Sequence, residues 1–290
     1  MKPPPFQYHD PKTLDAAVDV LGRLDNAKLL AGGQSLMPML NLRVVLPDHV
    51  IDLNRVEGLS YIRETDGALE IGAMTRQRDL EFSELVETKC PLMHQAIRHV
   101  GHRQTRNRGT IGGSLCHLDP SAELVSVAAA HDATVVVAGP GGTREIAFKD
   151  FPAGFLTPAI ESNEIVKAIR IPTWPGSHKA AFVEFARRHG DFAIASAAVL
   201  LDIKGDRIAR ASLTIGGIAA APVRVSEVEA AITGQAPSRE LFREACERCR
   251  KIEAMADIHA PAEYRRHLAA VLSRRALESA CGLATPSALH

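Results

Sequence analysis

The sequence predicts an α+β protein built in three units, and three observations carry that reading. Apolar runs break on glycine pairs at two places, Gly32-Gly33 and Gly112-Gly113. The stretch Pro172-Thr173-Trp174-Pro175-Gly176-Ser177 combines two prolines with a glycine, which end one strand and begin a new unit. Beyond it, three strand-like segments precede three helix-like ones, the order of a small antiparallel sheet with helices on one face. The expected units are residues 1–54, 55–175 and 176–290.

In the first unit Thr13 can cap a helix whose apolar residues Leu14, Val18 and Leu21 share one face, with Gly22 near its end. Lys28 to Ala31 reads as a strand that enters the first glycine pair, a helix follows through Met37, Met39 and Leu40, and residues 49–53 form a second short strand. In the second unit Tyr61-Ile62-Arg63 and Leu69-Glu70-Ile71 flank Thr65-Asp66-Gly67, a hairpin signal. Residues 83–100 read as helical, with Pro91 marking two helices that meet. A helix is expected to begin near Ser121, where an early proline and acidic groups suit the positive end of the helix dipole. Residues 133–138 and 143–148 form a hairpin around Gly139-Pro140-Gly141-Gly142, and 164–171 is a further strand. In the third unit the strands are 180–185, 193–203 and 207–215, and the helices 226–233, 238–255 and 262–280.

The two glycine pairs share a design: apolar or β-branched residues, two glycines, then a hydroxyl side chain before or after the turn. Glycine allows close approach and positive φ, and successive N–H groups at a turn or helix start favour anions. Either pair alone is equally a plain turn, but two in one chain can hold the two phosphates of a dinucleotide from different sides. Neither has the Gly-x-Gly-x-x-Gly or Gly-Lys-Ser/Thr spacing, so Rossmann and P-loop readings fail on their defining residues. Gly216-Gly217 imitates the second pair but lacks a following hydroxyl and reads as a turn between sheet and helices.

Ala31-Gly32-Gly33-Gln34-Ser35-Leu36, taken with Arg106-Asn107-Arg108-Gly109-Thr110-Ile111-Gly112-Gly113-Ser114-Leu115, resembles the FAD-binding medium subunit of the molybdenum hydroxylases, the group containing carbon monoxide dehydrogenase and xanthine dehydrogenase. Asp119-Pro120-Ser121-Ala122-Glu123-Leu124, Asn163-Glu164-Ile165-Val166 and Phe185-Ala186-Arg187-Arg188-His189-Gly190-Asp191-Phe192-Ala193 extend the likeness nearly end to end. The resemblance implies a two-part FAD-binding domain of the vanillyl-alcohol-oxidase/PCMH type. After it comes a C-terminal α+β domain of the CO dehydrogenase flavoprotein type, with a three- to four-stranded antiparallel sheet and three helices. It implies FAD contacts from Leu29, Leu30, Ala31, Gly32, Gly33, Gln34, Ser35, Leu36, Thr110, Ile111, Gly112, Gly113, Ser114, Asp119, Glu123 and Val166, with Glu123 reaching hydroxyls of the ribityl chain. Ser114 stands where many members have Asn, and Glu184 near where many have Lys; neither His117 nor Phe192 is assigned a contact with the ring.

The implied function is electron relay. A large molybdopterin subunit hydroxylates a substrate, a small iron–sulfur subunit with [2Fe–2S] clusters carries the electrons, and FAD on this chain passes them to an external acceptor, in a dimer of heterotrimers. The alternative is a stand-alone flavin oxidase of the vanillyl-alcohol-oxidase type, which needs a substrate-capping domain larger than the residues after the linker provide.

Composition narrows the remaining classes. With 46% hydrophobic and 23% charged residues and zero net charge, the chain has material for a real core and no electrostatic handle for nucleic acid or an anionic membrane. No window approaches the ~20 apolar residues of a bilayer span, and the start lacks a signal-peptide core, so a cytoplasmic location is expected. Cys90, Cys116, Cys246, Cys249 and Cys281 are scattered, which suits reduced thiols; Cys246-x-x-Cys249 lies in a helical stretch without a second pair and reads as structural. His94, His99, His102, His117 and Cys116 lack metal-ligand spacing. The basic run 102–108 has no interleaved aromatics and reads as ion pairing near the second glycine pair.

Overall fold

The computed structural model describes residues 1–284. Its N-terminal layer is a three-stranded parallel sheet in which His49–Asp52 lies between Gln7–His9 and Ala27–Leu30. Gln7–His9 carries no local strand signal, being a three-residue edge that pairs with His49–Ile51 about forty residues on. The helix Leu14–Arg23 is capped as expected: the Thr13 hydroxyl accepts from the Ala16 N–H at 3.2 Å, and Ala17, Val18 and Leu21 are buried on one face.

The central sheet has five antiparallel strands. Ile165–Pro172 runs through its middle, with the hairpin Ile62–Thr65/Ala68–Gly72 on one side and the hairpin Thr134–Gly139/Gly142–Ala147 on the other. Its core is aliphatic and aromatic, from Leu69 and Ile71 to Val135, Val137, Phe148 and Ile169. Helices Glu84–Lys89 and Pro91–Ala96 meet at Cys90, with proline opening the second where no donor is required. The basic run forms a short helix, Arg103–Arg108.

Two helices depart from expectation. The helix expected near Ser121 begins at Glu123, because the Asp119 carboxylate accepts the Ser121 N–H at 2.8 Å and holds a turn there instead. The helix expected over 238–255 ends at Cys246 and continues as a 3₁₀ turn, Glu247–Lys251. Tightening to three residues per turn puts Cys246 and Cys249 on one side, and both are buried against Phe242 and Ala245.

The C-terminal sheet is antiparallel in the order Lys179–Phe185, Ala195–Lys204, Arg207–Gly216, Val223–Arg224. The last, two-residue strand has no signal of its own. Helices Ser226–Ile232, Arg239–Cys246 and Ala262–Ala280 cover one face, and helix Glu123–Ala130 of the preceding unit packs on the other.

Candidate functional site

The strand Ala27–Leu30 leaves its sheet into Ala31-Gly32-Gly33, and helix Leu36–Asn41 begins directly after. Among the described residues, none of the backbone N–H groups of Gly32, Gly33, Gln34 and Ser35 has a backbone acceptor. Four open donors at a strand exit and helix start make a concavity that favours an anion. Gly33 needs its glycine for conformation, at φ +74°. Gly32 needs it for contact: a Cβ there would stand 2.3 Å from the Arg108 carbonyl oxygen.

The second glycine pair is built differently from expectation. It lies not in a loop but in the first turn of a helix, Ile111–His117, whose cap is Thr110: the hydroxyl accepts from the Gly113 N–H at 3.0 Å. The other early N–H groups are engaged as well, Ile111 with Thr75, Gly112 with Ala73 and Ser114 with Thr110. Gly112 is glycine because a Cβ would press on Ala73 at 2.6 Å. Only the first pair therefore offers open backbone donors. The second supplies a wall, with Gly113 facing Ala31.

Two residues without a sequence signal tie these segments together. Asn54 donates to the Ala31 carbonyl at 2.9 Å and accepts from Arg76, whose other nitrogen donates to the Arg108 carbonyl. One side-chain pair thus binds the entrances of both glycine segments. Arg76 also bridges Thr110 by backbone pairing.

Between the segments opens a cavity of about 790 Å³, within the size range of cofactor sites. Of the expected contact residues, Leu29, Ala31 to Leu36, Thr110, Gly112, Gly113, Ser114, Asp119, Glu123 and Val166 line it. Leu30 and Ile111 do not. Leu30 packs beneath Gly33, and Ile111 belongs to the central core, because alternate residues of a strand exit and the inner face of a helix turn away from the opening. His117, Cys116 and the Gly190–Phe192 loop also reach the cavity; Phe192 is 71% exposed at its rim. Gln77 was not foreseen. It lines the same wall with its carbonyl oxygen buried and without a partner.

Glu123 is the one carboxyl of the cavity wall whose ionisation is strongly disfavoured. Burial pushes it up to about 8, and the neighbouring carboxylates of Glu184 and Asp119 add to the shift. It is therefore a neutral acid at pH 7, able to donate as well as accept. Glu184 is itself buried, 3.3 Å from the His99 ring and outside the cavity lining.

The other chemistry-bearing residues find structural partners. Arg106 of the basic run makes a two-pronged pair with Glu81 and donates to the Val100 carbonyl. Among the described residues no group of three or more His, Cys, Asp or Glu side chains is placed to hold a metal, and no helix is long and apolar enough to cross a membrane. The Gly216-Gly217 turn packs against Ser126 and Ser196, away from the cavity.

Residues 4–174 match the family model described as the FAD binding domain in molybdopterin dehydrogenase, and residues 180–280 match the CO dehydrogenase flavoprotein C-terminal domain. The chain is 36% identical over 279 residues to the glyceraldehyde dehydrogenase medium chain of Sulfolobus acidocaldarius, covering 96% of this chain and 99% of that one. It is 35% identical over 282 residues to the carbon monoxide dehydrogenase medium chain of Hydrogenophaga pseudoflava, covering 97% and 98%. A solved carbon monoxide dehydrogenase from Hydrogenophaga pseudoflava superposes with a TM-score of 0.94 at 36% identity, over 98% of this chain and 100% of that chain. Quinoline 2-oxidoreductase from Pseudomonas putida gives 0.93 at 32%, over 98% and 99%.

Proposed function

Because the chain belongs to the family of FAD-binding medium subunits of the molybdenum hydroxylases, we propose that it passes electrons from the [2Fe–2S] clusters of a small partner subunit to an external acceptor. The observation that carries the site assignment is the set of open N–H groups at Gly32–Ser35, residues that line a cavity within the size range of cofactor sites. These donors suit the diphosphate. Ser114, Asp119 and neutral Glu123 on the opposite wall suit the hydroxyls of the ribityl chain, and Leu29, Leu36 and Val166 give apolar lining. Bound FAD supplies the redox chemistry, matching one-electron delivery to the acceptor's demand. The protein's part is to hold the phosphates on backbone dipoles, keep a neutral acid at the wall and leave the Phe192 rim open.

The same reading includes a large molybdopterin subunit that hydroxylates the organic substrate, assembly as a dimer of heterotrimers, a cytoplasmic location, and unit boundaries after residues 54 and 175. The break between matched segments 4–174 and 180–280 supports the second boundary, and five free cysteines suit a reducing compartment. The stand-alone oxidase is not favoured: the relatives that match almost from end to end are medium chains of heteromeric dehydrogenases.

The test is purification of the chain with its partners from the native host, followed by flavin, iron and molybdenum analysis. FAD is expected to be released by acid precipitation, since it is held noncovalently. Substrate added anaerobically should bleach the flavin in the complex and leave the separated, FAD-loaded chain oxidised. Bleaching by an organic substrate in the separated chain overturns the relay.

A further inference from the structure

Arg265 is 2% exposed, yet it lies on the C-terminal helix Ala262–Ala280, outside the cavity lining. Both terminal nitrogens of its guanidinium are engaged, while the buried Nε has no hydrogen-bond partner. One nitrogen donates to the carbonyls of Ile194, at 2.6 Å, and Gly217; the other donates to the Asp257 carboxylate at 2.7 Å. The Ala193, Ile194 and Gly217 backbones converge here: a Cβ at Gly217, which has φ +76°, would meet the Ile194 and Ala193 oxygens at 3.0 and 3.1 Å. Carbonyl oxygens gathered in this way repel one another unless a cation sits among them, and the guanidinium fork is shaped to serve several at once.

Each of these carbonyls leads to the flavin cavity from a different side. Ile194 follows Gly190, Asp191 and Phe192, which form the rim. The Gly217 N–H donates to the Pro120 carbonyl at 2.7 Å, and Pro120 separates Asp119 of the wall from the turn that begins the Glu123 helix.

We infer that Arg265, oriented by Asp257, is a positioning residue for the flavin site: it fixes the Gly190–Phe192 rim relative to the Asp119–Glu123 wall. The inference rests on the flavin reading and assigns a part of the site to the C-terminal domain. Lysine carries the charge but not the fork, so it cannot hold two carbonyls and the carboxylate in one plane. A displacement of the rim by about 1 Å is enough to change how a molecule in the cavity is held.

The experiment compares Arg265→Lys, Arg265→Gln and Asp257→Asn in the complex co-purified with its native partners, with Arg243→Gln, an exposed cation on the same domain, as control. FAD dissociation constants and visible circular dichroism of the bound flavin are read well below the melting temperature. Arg265→Lys is expected to weaken FAD by about tenfold, ~1.4 kcal/mol, and to alter the flavin dichroism; Arg265→Gln should do more, Asp257→Asn less, and Arg243→Gln nothing. Should Arg265→Gln fail to accumulate, the other two decide. A wild-type affinity and dichroism in Arg265→Lys and Asp257→Asn overturns the inference, whatever their melting temperatures. A wild-type complex without flavin overturns the proposed function itself, a result distinct from any difference among variants.

Discussion

The Cα of Gly32 is seated on the Arg108 carbonyl, so closely that a Cβ would lie 2.3 Å from the oxygen and 2.7 Å from the Gly109 Cα. This contact joins the two glycine segments across 76 residues of chain and sets the width of the cavity between them. The two glycines of the first pair are thereby separated in kind: one is required by a neighbour, the other by its own backbone.

Gly32→Ala should therefore push the segments apart. The expected loss is about 1–3 kcal/mol of stability, the usual cost of overpacking, together with weakened FAD binding. Gly33→Ala should cost about 1–2 kcal/mol through left-handed strain and turn the open N–H groups away from the phosphate. Urea denaturation and flavin titration of both variants check this; wild-type behaviour of Gly32→Ala would remove the seam between the segments from the account.

Asn54 and Arg76 act as one clamp, since Arg76 donates to Asn54 while each holds the carbonyl of a different glycine segment. Asn54→Ala and Arg76→Gln should each weaken FAD binding, and the double variant should do little more than either alone. A coupling energy of about 0.5–3 kcal/mol is expected from a double-mutant cycle. Simple additivity would show that the two residues work separately.

Glu123 makes stability fall as pH rises. Its folded value, about 8, lies above the ordinary 4.5, so the native state binds more protons than the unfolded one between these limits. The contribution is complete below about 4.5 and lost above about 8, with Asp119 and Glu184 opposing ionisation. Melting temperature measured from pH 5 to 9 should decline more in wild type than in Glu123→Gln, which also keeps a neutral side chain that can donate to the flavin. Parallel profiles for the two proteins would mean that Glu123 ionises normally.

Cys246 and Cys249 are packing residues. Both are buried, and the Cys249 thiol lies 3.6 Å from the Ser273 hydroxyl. In the folded protein neither should react with a thiol reagent on the timescale of minutes, whereas both should react in urea. Cys249→Ala should leave flavin content unchanged. Rapid labelling in native buffer, or loss of flavin in the alanine variant, would give the pair a role that the core packing does not.

The local pattern of the chain was enough to place most of the molecule. Apolar periodicity and Gly/Pro punctuation located both hairpins of the central sheet, the Ile165–Pro172 strand, the Thr13-capped helix and the strand-then-helix order of the last unit, because each signal lies within about ten consecutive residues. The glycine motifs and the Asp119–Glu123 turn likewise pointed to one cavity, and most of the contact residues named from sequence line it.

What the tertiary structure alone decided is the job of each group at that cavity. Helical geometry in the second glycine pair engages its N–H groups with Thr75, Ala73 and Thr110, and so leaves the open donors to the first pair. Asn54, Arg76 and Arg265 became visible only when folding brought backbone carbonyls 23 to 71 residues away within reach. A polar side chain bound for a distant carbonyl has no periodicity and no fixed spacing, so its sequence neighbours cannot announce it. The same holds for Leu30 and Ile111, which share the motifs but point into packing: membership of a motif is set by the chain, whereas the direction of a side chain is set by what the fold places on either side of it.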